Sequence, residues 1–184
     1  CAESAQGPLA GVWLIAAFAL RGGMQDTPLP DRTIEGRTLT RSDVQALAAA
    51  GTPAHLLDCD LEDADLAGLD LTGWSFERCT LRRSRLAEAR LERTRWTACR
   101  GAFADFTGAD LSEAAFTGCD FNNAALRRAM LSSAAFKGCK LTGADLSDIR
   151  GMDLSFEETL LVSAKLNGRS FRKQTLRRVD LAQA

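Results

Sequence analysis

The residues able to do chemistry are few and unusually spaced. One imidazole, His55, is present in 184 residues and there is no tyrosine. Any Ser/His/Asp or Cys/His nucleophilic system would have to be built around that single histidine. Of six cysteines, Cys1 stands apart, while Cys59, Cys79, Cys99, Cys119 and Cys139 recur every twenty residues. A row of thiols invites a metal or a disulfide, yet no CxxC and no mixed Cys/His ligand set accompanies it. Buried, reduced thiols used as small apolar residues are the simpler expectation. Within the repeats glycines fall singly, as at Gly68, Gly73, Gly108, Gly118, Gly138, Gly143 and Gly168, so no glycine-rich phosphate loop is formed. Carboxylates are plentiful but come without a partner set. No catalytic, cofactor-binding or metal-ligating residue is assigned, no cofactor is expected, and the chain reads as a non-enzyme.

What must position these residues is a period of five. From Leu56 to Leu181, 24 of the 26 residues at five-residue steps are Leu, Phe or Trp, with Gly101 and Gly151 the exceptions. Two residues before each stands a small side chain in 20 of 26 cases, as at Ala64, Ser84, Ala109 and Ala144. Five matches neither the 3.6 of a helix nor the 2 of a flat strand, so the chain must turn at every unit. The large residue and the small one two before it then share the inside, as alternate residues on a strand do. Phe76, Trp96, Phe116, Phe136 and Phe156 repeat every twenty residues, as do the five cysteines. Four sides therefore close one coil, with an aromatic column in one internal corner and a thiol column in another. Ile149 and Phe103 are expected to help fill the gaps left by Gly151 and Gly101, which themselves mark bulges. On this register His55 takes an outward position in the first coil.

Charge is balanced, 23 Lys+Arg against 24 Asp+Glu, which removes the basic excess of a nucleic-acid binder. The outward columns alternate in sign: Asp65, Arg85, Asp105, Ala125, Asp145, Lys165 on one side, Asp70, Arg90, Asp110 on the next, Arg100, Asp120, Lys140 on another. Such columns fix register between neighbouring strands. A belt of Arg85, Arg90, Arg95 and Arg100 lies between a first coil rich in Asp58, Asp60, Glu62, Asp63, Asp65 and Asp70 and a later acidic stretch at Asp105 and Asp110.

The units ADLAG, ADLSE, CDFNN and ADLSD resemble the pentapeptide-repeat family over residues 54–183. The resemblance implies an all-β solenoid, a right-handed quadrilateral β-helix, in a bacterial protein that is usually non-catalytic. It implies a protein partner and, for part of the family, a DNA mimic that binds DNA gyrase or topoisomerase IV and protects it from quinolones or toxins. The alternating columns oppose that second role, because mimicry of duplex DNA needs sustained charge of one sign. The stretch RTLTRSDVQALAAAGTPAHLLDCDL is similar to the entry of pentapeptide-repeat proteins associated with type VI secretion.

Three segments are expected: 1–23, 24–53 and 54–184. The first is an apolar leader, tag or upstream-read segment, too short for stable membrane insertion. The second is a cap with a short helix from about Asp43 to Ala50, N-capped by Ser42 and ended by Gly51 and Pro53. The third is the β-helix. A cytoplasmic location follows from the reduced thiols. An unpaired coil edge near Leu181 makes a homodimer through the C-terminal coil an expectation.

Overall fold

The computed structural model describes residues 32–168 and 174–184. The segment 1–23 lies outside them. Within them, eight strands stack in chain order as one parallel sheet: β1 (Arg32–Glu35), β2 (Ala54–Leu57), β3 (Ser75–Glu77), β4 (Arg95–Thr97), β5 (Ala115–Thr117), β6 (Ala135–Lys137), β7 (Ser155–Glu157) and β8 (Thr175–Arg177). From β2 onward the register advances by one coil, pairing Leu56 with Phe76, Phe76 with Trp96 and Trp96 with Phe116. The other three sides narrow to single bridged residues, such as Asp60 to Thr80, Asp65 to Arg85 and Asp70 to Arg90. These four ladders are the four sides of a β-solenoid, as the five-residue period requires.

Two local devices turn the chain at each corner. On the three short sides the amide of the inward small residue donates to the carbonyl three residues earlier, as Ala64 does to Leu61 at 3.1 Å and Ala124 to Phe121 at 3.1 Å. The third residue of each such turn has positive φ, for example Asp63 at 57° and Asn123 at 57°, which is the geometry of a type II turn. The aspartate before the large residue then accepts the amide two residues on: Asp60 from Glu62 at 2.9 Å, Asp105 from Thr107 at 2.9 Å, Asp145 from Ser147 at 3.0 Å. An aspartate in this role mimics a backbone turn.

The ladder reaches back into the segment read as cap. Ile34 pairs with Leu56 and Thr38 with Asp60, and Leu39 is buried, so residues 32–39 build a first partial turn. This turn takes 22 residues from Ile34 to Leu56 instead of twenty. The extra length holds α1 (Arg41–Ala48) and takes the turn out of the repeat register. The helix starts two residues earlier than expected. Its N-cap is Thr40, not Ser42, because Asp43 Oδ2 accepts the Thr40 amide at 2.9 Å in a capping box. Val44 is its buried residue. Arg41 pins the helix to the solenoid by donating to the carbonyls of Asp65 at 2.9 Å and Ala67 at 3.1 Å. Among the described residues no helix is long and apolar enough to cross a membrane.

The interior is one continuous core. Phe76 and Trp96 stack with centroids 4.0 Å apart, Phe116 and Phe136 at 4.4 Å, and Phe136 and Phe156 at 5.2 Å. Phe106 and Phe121 meet the column edge-on, Phe121 lying 5.7 Å from Phe116 at 88°. Offset-stacked and edge-to-face contacts are the favoured arrangements for aromatic quadrupoles. The Trp96 indole donates to Thr94 Oγ1 at 2.9 Å, and Thr94 passes its own proton to the Leu91 carbonyl at 2.7 Å. The buried polar tip is thereby satisfied from an inward small position.

Phe121 resolves the gap at Gly101: a Cβ there would sit 2.1 Å from the Phe121 ring. Phe103 therefore does not fill it, contrary to the sequence expectation, and is 60% exposed. Neither glycine makes the expected bulge, since the coil-to-coil bonds keep their step past both, Gly101 to Asp120 and Leu131 to Arg150; Gly151 has a φ of 116° and the backbone of Ser132 where a Cβ would lie, while Ile149 beside it is buried as expected.

Candidate functional site

Cys59, Cys79, Cys99, Cys119 and Cys139 are free and buried at the end of the stranded side. Each thiol donates to the carbonyl of the large residue one coil back: Cys79 to Leu56 at 3.3 Å, Cys99 to Phe76 at 3.3 Å, Cys119 to Trp96 at 3.3 Å. Thr159 continues the column and makes the same bond to Phe136 at 3.2 Å. A hydroxyl thus replaces the thiol without loss of pattern, which identifies the column's common task as hydrogen bonding and filling. Burial pushes the Cys59 thiol up, and contact with the Cys119 thiol together with burial pushes up Cys99 and Cys139. Contact with Cys99 and with Cys139 moves the Cys79 and Cys119 thiols the other way, so what keeps the column from reagents and metal ions is its burial, with the thiols donating to carbonyls. Among the described residues no group of His, Cys, Asp and Glu is placed to hold a metal ion.

His55 keeps its outward register position but is only 5% exposed, a departure from the solvent-facing expectation. It lies between Thr33 and Ser75 on neighbouring strands, and its Nε2 is 3.4 Å from Glu77 Oε2. Ser75 is also buried, so the residue types of a Ser/His/acid set stand on adjacent strands. The Ser75 hydroxyl makes no hydrogen bond, however, and the nucleophile-to-base contact such a set requires is missing. The strand register alone could not reveal this covering.

The charged columns pair in part, Arg90 with Asp70 at 2.9 Å, Arg85 with Asp65 at 3.7 Å and Lys165 with Asp145 at 3.9 Å, whereas the Arg100, Asp120, Lys140 column forms no ion pair among the described residues. The better pairs lie at the corners. Arg78 takes Asp58 with two nitrogens at 2.8 Å each, and Arg83 takes Asp63 at 2.7 and 2.8 Å. The Arg78 guanidinium holds the Asp58 carboxyl below the usual carboxylate range, and Arg83 does the same for Asp63. Twenty-residue spacing from Asp58 to Arg78 and from Asp63 to Arg83 was the available signal. Acidic first coil and arginine-rich second coil thus close on each other as an ion-pair belt.

The corners also single out Phe103. Eighteen non-glycine residues among those described have positive φ; all except Ala98 and Phe103 are polar, and Phe103 is the one aromatic.

Comparison with known proteins places this architecture. The family model for pentapeptide repeats matches in eight copies, over residues 59–97, 84–123 and 109–148. A pentapeptide repeat protein from Nostoc Pcc 7120 superposes with a TM-score of 0.53 at 19% identity, over 77% of this chain and 98% of that one. One from the Arabidopsis thaliana thylakoid lumen is 30% identical with a TM-score of 0.41, over 54% of this chain. The match spans 63% of that protein's length, less than two thirds. Full-length QnrB1, a plasmid-mediated fluoroquinolone resistance protein, aligns over 81% of this chain and 91% of its own at 18% identity, with a TM-score of 0.37. Comparison with curated proteins returned no match. Coil, inward columns and repeat match agree: the chain belongs to the pentapeptide-repeat family.

Proposed function

We propose that the chain is a non-catalytic scaffold that binds another protein through the rigid outer faces of its solenoid. The observation that carries this reading is the division of labour across the wall. Inward positions are packed by Leu, Phe, Ala and Cys, while the outward ones form flat arrays of mixed charge. Fixed, mixed-charge surfaces suit recognition by shape and complementary charge, and oppose direct nucleic-acid binding. The reading places the protein in the cytoplasm, in keeping with its free thiols. It includes a homodimer through the last coil, where Leu176 and Leu181 are exposed; sedimentation equilibrium of the whole chain checks it, and monomer mass at all concentrations counts against it.

A topoisomerase-directed DNA mimic is the rival. Its requirement for one sign of charge along a face conflicts with the Asp58, Asp63, Asp65 and Asp70 pairs to arginines of the next coil. A gyrase supercoiling assay with and without the purified chain separates the two. No change in supercoiling or in quinolone sensitivity is expected, and inhibition or protection would replace the scaffold reading with the mimic.

A further inference from the structure

We infer that Phe103 anchors a protein-docking site on the second side of the solenoid, fitted to a partner that offers an apolar socket edged by carboxylates. This rests on the protein-binding reading and adds its place and chemistry.

Phe121 already occupies the space above Gly101, so the ring of Phe103 contributes nothing to the core and lies 60% exposed. Its φ is 62°, a region that a bulky side chain enters only against steric resistance. Other described corners carry polar side chains, alanine or glycine at this backbone conformation. Phe103 thus bears two costs, strained backbone and a wet aromatic ring, with no packing return within the chain. Costs of that kind concentrate at sites where the surface is used.

The surroundings specify the partner. Ala102, next to Phe103 in the chain, is small. Arg82, one coil before Ala102, is ion-paired to Glu62 at 3.5 Å. Arg100, two residues before Ala102 on the same side, is bridged in the ladder to Thr80 and Asp120 and enters no ion pair among the described residues. Asn123 stands on the same corner as Phe103 one coil on, and the Phe103 amide donates to the Asn122 carbonyl at 3.0 Å. An aromatic anchor with arginine and asparagine around it is the composition of a binding hot spot. The Arg100 guanidinium, outside any ion pair, calls for a carboxylate on the partner. Nucleic acid fits less well, since Asp105 and Asp120 stand in the same neighbourhood and a single ring is no stacking platform.

The test is selection of a display library of short random peptides on the intact chain, followed by titration of the enriched peptides. Peptides combining apolar residues with Asp or Glu are expected. Phe103→Ala should weaken them at least about ten-fold, Phe103→Trp should retain binding, and Arg100→Glu should weaken it by less. Peptides that bind Phe103→Ala equally well would overturn the site while leaving the protein-binding reading intact, whereas a library yielding no binder counts against both. Binding of a single-stranded oligothymidylate through Phe103 would overturn the choice of a protein partner. Phe103→Gly should melt no lower than the parent chain; a clear loss of stability would assign Phe103 a packing role and overturn the proposal.

Discussion

The two ends of the described β-helix stretch from residue 55 to 154 are held by different means. In residues 55–94 the first coil carries Asp58, Asp60, Glu62, Asp63, Asp65 and Asp70, and the second answers with Arg78, Arg82, Arg83, Arg85 and Arg90 in ion pairs across the coil step. In residues 115–154 the stranded side shows Ala115, Gly118, Ala135 and Gly138 outward, while Phe116, Phe121 and Phe136 fill the inside with Cys119 and Cys139. Backbone bonds between coils are the same in both, for example 2.8 Å from Leu61 to Thr80 and 2.8 Å from Phe121 to Lys140. Exposed ion pairs add little stability and are screened by salt, while a buried aromatic contributes several-fold more. The comparison teaches that the repeat builds one backbone lattice on one continuous core, which the first coils reinforce further from outside with ion pairs and the later coils from inside alone.

The largest expected break in that comparison is Phe116→Ala. It should cost about 3 to 5 kcal/mol in denaturant unfolding, the range for deleting a buried aromatic, since Phe116 meets Trp96, Phe121 and Phe136 at once. Next is Gly101→Ala, which drives a methyl into the Phe121 ring and should cost about 1 to 3 kcal/mol by overpacking, seen as a lowered midpoint at unchanged slope. Smaller still is Cys139→Thr, expected below about 1.5 kcal/mol because Thr159 already makes the same carbonyl bond one coil on.

The smallest effect is pH-dependent. Asp58 and Asp63 are lowered in the folded chain by Arg78 and Arg83, so their contribution is complete above the ordinary carboxylate pKa. It is lost as pH falls through the lowered folded values. Thermal melts should therefore decline first on acidification below the ordinary carboxylate range, and Arg78→Gln with Arg83→Gln should flatten that decline.

Much of this lattice was legible because the five-residue period tests every residue against the same rule: Phe76 to Phe156 inside, the thiols inside, Asp65 facing Arg85. The first turn escaped because α1 lengthens it to 22 residues, so Ile34 and Leu39 fall out of step although they are spaced by five. Phe103 was misjudged because spacing records which positions point inward but not which neighbour expands into a vacancy; Phe121 does so from the next coil. The corner pairs of Asp58 and Asp63 have no signal in the column before each large residue, where aspartate is chiefly a turn former. For the candidate site, spacing foretold the buried thiols, whereas the covering of His55 and the exposure of Phe103 are tertiary facts without a local signature.

The most direct test is native-state amide hydrogen exchange at low and at high salt. Screening should speed exchange at Leu61, Asp63, Thr80, Arg85 and Arg90, whose amides span the ion-pair belt, and leave Phe121, Asn123 and Lys140 unchanged. Equal acceleration along the whole solenoid, or an effect confined to the central coils, would contradict the division between outside and inside reinforcement.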